Sequence, residues 1–173
     1  MKPAVRKVRR TLLAVGEGDA EVAFLKHLRS LYCSGGHGVN VVVSNAHGKG
    51  PENVINHAKR KGMTAQYDQR VALLDTDIPW TDGLKKHARK AAVEMIGSIP
   101  CLEGLLLIIL RHQAPQSSAQ CKQALQNILT IDLISWESYG KAFPKQLIDS
   151  ARQRIDELDR LIRFFEGEWT NLR

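Results

Sequence analysis

The sequence predicts an α/β fold: a mostly parallel sheet flanked by helices on both faces, with a helical C-terminal extension. Three observations predict it. Short apolar runs alternate with stretches of helical periodicity through residues 10–100. Each run is closed by glycine or a polar turn, as strands are. After Pro100 the alternation stops and helical patterns alone continue.

"RTLLAV" opens the series as a strand bounded by Gly16. Residues 19–32 read as an amphipathic helix, with Val22, Phe24, Leu25, Leu28 and Leu31 near helical spacing. "SGGHG" breaks it, and the β-branched "VNVVV" is the second strand. "SNAHGKG" is a loop, and Pro51 suits the first turn of the next helix, whose apolar face is Val54, Ile55 and Ala58. "RVALLDTD" is the third strand, residues 82–92 a helix, and "AVEMIGSI" holds a fourth strand. Beyond Pro100, "CLEGLLLIILRH" and "SAQCKQALQNIL" are helical around a "QAPQSS" turn. From Pro144 onward, Ile148, Ala151, Ile155, Leu158, Ile162 and Phe165 predict one long amphipathic helix. The chain is thus expected to be one unit over 1–173, an α/β core over 10–100 with a helical extension over 101–173 packed on it.

Composition narrows the function classes. The 173 residues can bury a substantial core. The 25 basic and 18 acidic residues give +7, a surplus that favours a polyanionic partner. Cys33, Cys101 and Cys121 are widely spaced without a CxxC, which fits a reducing cytoplasm better than a disulfide framework or a zinc site. No signal peptide is visible. The longest apolar run, "LEGLLLIIL", is too short to span a bilayer and carries Glu103, so no membrane partner is expected.

"VALLDTDIPW" poses the chemical question. A buried run ends in Asp75 and Asp77, two carboxylates one residue apart. Like charges this close repel, and each is costly to desolvate. Water at a strand end or a bound cation would relieve that. In open α/β sheets, functional residues gather beyond the carboxyl ends of the strands. Glu17 follows strand one, His47 and Lys49 follow strand two, and the Asp pair follows strand three. Convergent carboxylates suit Mg²⁺ or Mn²⁺, hard cations that take oxygen ligands. The competing reading makes Asp77 or Asp82 a helix N-cap and Glu17 a solvated turn residue.

"LLAVGEGDAEVAFLKHL" followed by "VALLDTD" resembles the Toprim domain of topoisomerases, primases and OLD nucleases. Glu17-Gly18 matches its E-G turn, Asp75 and Asp77 its D-x-D, and Glu21 the E-G-x-x-E form of OLD-like members. "IPCLEGLLLIIL", "SYGKAF" and the last helix resemble RloB-like proteins, a branch linked to restriction and abortive infection. The chain departs at Leu105 and Ile109, where that branch carries Trp and His.

The resemblance implies a Mg²⁺- or Mn²⁺-dependent nuclease acting on DNA or RNA, with a role in phage defence. Asp75 and Asp77 would be metal ligands and Glu17 a ligand or general base. A non-catalytic module that binds nucleic acid or protein is the alternative, and nucleotidyl transfer a third. Glu21 reads as a second-rank residue behind the metal or as a helix-start acid. Lys49 and His47, at a helix N-terminus, could hold phosphate or lie in a solvated loop. Glu103 could orient a ligand or Lys141, or simply face a helix dipole. Arg111 and His112 are expected to complement that helix's far end. Lys2, Arg6, Lys7, Arg9 and Arg10 could touch a nucleic-acid backbone or be a solvated tail. Trp80 is expected to pack rather than stack on a base. The last helix is expected to cover the core rather than form a homodimer seam.

Overall fold

The computed structural model describes residues 10–34 and 38–169. Of the basic N-terminal cluster only Arg10 lies within them, and Gly35–His37 of the "SGGHG" turn lie outside. Four strands form one sheet: β1 (Thr11–Gly16), β2 (Asn40–Asn45), β3 (Gln69–Asp75) and β4 (Glu94–Ser98). Their order is β2-β1-β3-β4, and every pairing is parallel. Leu12, Leu13, Ala14 and Val15 of β1 are fully buried, because helices cover both faces of this central strand.

The two faces have separate cores. Leu13, Val15, Ala72 and Leu74 pack under α2 (Gly50–Thr64) and α3 (Asp82–Lys90), through Val54, Ile55, Ala58 and Ala88. Leu12, Ala14, Val71, Leu73 and Ile96 face α1 (Asp19–Tyr32) and the C-terminal helices. Those are α4 (Leu102–Ile109), α5 (Ser118–Ile128), the single turn α6 (Tyr139–Ala142), α7 (Lys145–Arg152) and α8 (Asp156–Glu166). One apolar cluster runs from Leu12 through Phe24 to Phe143 and Phe165, so the helical extension and the sheet share a core. Fully burying each such side chain contributes about 1.5–3 kcal/mol.

The structure differs from the sequence-based expectation at two places. The single long helix expected after Pro144 is two, α7 and α8, broken at residues 153–155. Ile155 is extended there, and Arg154 reaches back to donate from Nη1 to the Ile108 carbonyl (2.8 Å) and from Nη2 to that of Ile109 (2.9 Å). Arg111 and His112 follow α4 with exposed side chains, and their backbones close it. Arg111 sits at φ 65°, and the His112 N–H bonds to the Leu107 carbonyl at 2.9 Å, a left-handed closure of the helix. Second, neither Asp77 nor Asp82 caps α3. Thr81 does, its hydroxyl accepting from the Leu84 N–H at 3.1 Å.

α8 buries Leu158, Leu161, Ile162, Phe164 and Phe165 in the core, as a covering helix should. Arg10 donates to the Gly167 carbonyl and lies 5.6 Å above the Trp169 ring, so it is docked on the fold. The edge strands carry charged escorts. Arg29 Nη1 donates to the Val41 carbonyl on β2 at 3.4 Å. On β4 the Gly97 N–H donates to Glu157 Oε2 at 3.3 Å, and Arg160 pairs with both Glu157 and Glu94. Among the described residues no helix is long and apolar enough to cross a membrane.

His27 of α1 is buried, donates from Nε2 to the Phe143 carbonyl at 2.8 Å and stacks on Tyr139. Burial holds its pKa below the usual imidazole range, partly opposed by the Phe143 carbonyl. A folded-state pKa below the unfolded one gives stability that is present above about pH 6.5 and is lost as pH falls. Thermal melts are therefore expected to show wild type losing melting temperature relative to His27→Gln as pH falls below about 6.5; a difference that does not change with pH would show that His27 makes no such contribution.

Candidate active site at the sheet's carboxyl edge

The strand order builds the site before any side chain is considered. From β1 the chain crosses over one face through α1 to β2. It then returns over the other face through α2 to β3, on the far side of β1. The carboxyl ends of β1 and β3 therefore flank the point where the winding reverses, and a crevice opens there in folds of this kind. Glu17 is the first residue past β1, and Asp75 is the last residue of β3.

Each turn is fixed by close contacts. Gly16 is required because a Cβ there would lie 2.8 Å from the Val22 nitrogen and 2.9 Å from Glu21 Cβ, in the first turn of α1. Gly18 starts α1, and its N–H donates to Glu21 Oε2 at 2.9 Å. Glu21 is thus a helix-start acid, and it also belongs to the acidic group. Burial raises its carboxyl pKa, helped by the charges of Glu103 and Glu17.

The loop after β2 is pinned to the β1 turn. The Ala46 N–H donates to the Gly16 carbonyl (3.0 Å), and the Gly48 N–H to that of Glu17 (2.7 Å). Asn45 reaches Asp19 and the His47 N–H, while Asn53 Nδ2 donates to the carbonyls of Ala46 and Gly48. His47, Gly48, Lys49 and Gly50 all have positive φ, between 60° and 80°. Two of the four are not glycine, a costly choice in the left-handed region. The His47 and Lys49 side chains are both exposed, and Lys49 stands at the N-terminus of α2.

Asp75 is the most constrained carboxylate. Its Oδ1 accepts from Ser98 Oγ (2.8 Å) and from the Leu102 N–H at the start of α4 (3.2 Å). Burial pushes its pKa up to about 7 against the Ser98 hydrogen bond, with the nearby charges of Glu21, Glu17 and Asp77 adding to the rise. Glu17 is half-buried and likewise raised, first by burial and then by Asp77. The backbone amides of Asp75 and Gly50 work the other way. Asp77 is exposed and its Oδ2 accepts from Ser118 Oγ at 3.2 Å. Glu103 is buried on α4 and makes no ion pair with Lys141 among the described residues. Its charge reaches Glu21.

The fold therefore brings Glu17, Glu21, Asp75, Asp77 and Glu103 into one electrostatic neighbourhood, with His47 and Lys49 on the adjoining loop. As the side chains stand, no three His, Cys, Asp or Glu among the described residues are grouped closely enough to hold a metal ion. Trp80 packs, as expected, its ring against Gly97 and its Nε1 donating to the Asp75 carbonyl at 3.2 Å. Sequence reasoning missed Ser98, Ser118, Asn45 and Asn53. Ser98 was within reach, because it ends β4 and pairs in register with Asp75. Ser118 belongs to a turn whose path no local pattern reveals.

Two outcomes follow. Gly16→Ala is expected to destabilise the fold by about 1–3 kcal/mol in denaturant unfolding, because backbone has to move. A neutral result would mean α1 is looser than its contacts. Asp75→Asn keeps an oxygen for Ser98 and Leu102 and removes the repelled charge. In EDTA at pH 8 it should be more stable than wild type by about 1–2 kcal/mol after allowance for solvent, and the gain should shrink as pH falls below about 7 and vanish only near the ordinary carboxyl pKa of 3.8. A loss of stability at pH 8 would contradict the repulsion.

No family model matches the chain, and no curated protein or solved structure matches it either.

Proposed function

We propose that the chain is a Toprim-type, divalent-metal-dependent phosphodiester hydrolase that acts on nucleic acid. The observation that carries this reading is the position of Glu17 and Asp75 at the two strand ends flanking the winding reversal, with Asp77 beside them. The donor chemistry fits a hard cation. All three side chains offer oxygen, and Asp75 is pushed up to about 7 first by burial and then by the neighbouring acids, a cost that a cation would offset. Glu17, Asp75 and Asp77 would hold Mg²⁺ or Mn²⁺, which requires them to draw together. Bound there, such an ion supplies charge at the phosphoryl oxygens and a more acidic water.

The chain's own groups do the rest. Ser98 and the Leu102 N–H fix Asp75 Oδ1 and so set the direction of its second oxygen. Ser118 steadies Asp77 from the start of α5. Lys49 and His47, at the N-terminus of α2, meet the phosphate, one as a point charge and the other as a hydrogen-bond donor. Glu17 takes the proton of the attacking water or ligates. Glu21 and Glu103 stand beside these groups and add to the acidic character that favours a cation.

A second reading, a binding module without turnover, is favoured by one observation. Asp75 already has a structural task, tying β3 to β4 and to the start of α4. Incubation of labelled DNA and RNA with Mg²⁺, Mn²⁺ or EDTA separates the two. Hydrolysis is expected only with metal, and Asp75→Asn or Asp77→Asn should lower its rate by about 100-fold or more. Lys49→Ala should act mainly on KM, by about tenfold. Metal-independent binding with no turnover on either polymer would leave the binding module.

A further inference from the structure

Charge is unevenly distributed over this molecule. Every ion pair among the described residues involves α7, α8 or β4. The cations of α2 and α3 take part in none. Lys59, Arg60 and Lys61 stand on α2 against a single acid, Glu52. Lys85, Lys86, Arg89 and Lys90 stand on α3 against Asp82. All seven are exposed. Helix dipoles account for the cations in the last turns, Lys61, Arg89 and Lys90. They do not account for Lys59, Arg60, Lys85 and Lys86. Lys85 with Arg89, and Lys86 with Lys90, are like-charge pairs four residues apart, which weaken an isolated helix.

The two helices form one continuous face. His87 Nε2 and Asn56 Oδ1 are 2.8 Å apart and tie α3 to α2. A cleft of about 540 Å³ opens where their N-termini meet; Lys49, Pro51, Glu52, Ile78, Thr81 and His87 are among its lining residues. Ile78 follows Asp77, and Lys49 precedes Gly50, whose backbone faces Glu17. The basic face therefore runs directly into the acidic edge. With its 15 residues, α2 is about 22 Å long, roughly six base-pair steps of a duplex. Among the described residues this face exposes no aromatic side chain; Trp136, the exposed aromatic, belongs to a short 3₁₀ turn that packs on α1. Single strands are held by stacking on aromatics, whereas duplexes are held by their phosphates.

We infer that the α2–α3 face is the docking surface for a nucleic-acid duplex, gripped by its phosphodiester backbones and presented to the acidic edge. The docking stands on the charge distribution; presentation for cleavage rests on the hydrolase reading above. Fluorescence anisotropy of the full chain with a labelled duplex of about 20 base pairs, in EDTA and across a salt series, tests it. Lys59→Glu with Lys86→Glu is expected to weaken binding about tenfold and reduce the salt slope by about two. The control, Lys122→Glu with Lys141→Glu, makes the same charge change elsewhere and should bind like wild type. Lys59→Gln with Lys86→Gln should fall between, and its melting curve guards against misfolding.

Equal weakening by both Glu pairs, or none by either, would overturn the surface. So would wild type preferring a single strand, or vesicles of anionic phospholipid, to the duplex. Failure of the hydrolase reading looks different. Duplex binding that depends on Lys59 and Lys86, without cleavage of any substrate, keeps the surface and removes the activity. Cleavage indifferent to both residues keeps the activity and removes the surface.

Discussion

The rest of the structure depends on the burial of β1 between two neighbours and under two helical layers. A strand covered on both faces has no side for a polar group, so Leu12 to Val15 are apolar at every position. Polar chemistry can begin only where the strand stops. Glu17 is the first side chain past that limit, and β3 repeats the pattern with four buried residues before Asp75. Since the strands are parallel, both limits fall at the same end of the sheet. Gly16 then lets α1 approach so closely that Glu17 cannot drift away from that end. The acidic edge is thus a consequence of how the core is closed.

Crowding carboxylates at one edge has a cost, and the hydrogen bonds show how the fold carries it. Asp75 gives one oxygen to Ser98 and the Leu102 amide, interactions worth about 1.5–3 kcal/mol each when the acceptor is charged. Burial and the neighbouring acids oppose them, and its pKa settles near neutrality. Glu21 is satisfied by the Gly18 amide and Asp77 by Ser118. These contacts come from β4 and from the starts of α1, α4 and α5, so the C-terminal helices help to hold the strand ends.

Much of this was legible in the sequence, for physical reasons that differ by element. The strands were, because their apolar runs are short and end in glycine or a polar residue. Glu17, Asp75 and Asp77 were, because parallel order alone brings strand ends together. Their hydrogen-bond partners were not, because Ser98, Ser118 and the Leu102 amide are joined to them only by tertiary structure. The break between α7 and α8 was hidden for a similar reason. Helical spacing continues through Ile155, and only the distant carbonyls of α4 make Arg154 turn away. Thr81 was overlooked as a cap beside two aspartates, although a hydroxyl at that position serves as well.

The charged escorts on β2 and β4 have a consequence for the molecule among its own copies. A parallel sheet of four strands leaves two rows of backbone donors and acceptors open, and each is a template for another chain to add a strand. On β2 the Arg29 guanidinium occupies a carbonyl and brings a positive charge to the rim. On β4 Glu157 takes an amide, and the Arg160 network seats charge beside it. An incoming strand would have to displace and desolvate those groups. Charge seated on both rims thus makes edge-to-edge pairing of this sheet more costly than on a bare edge.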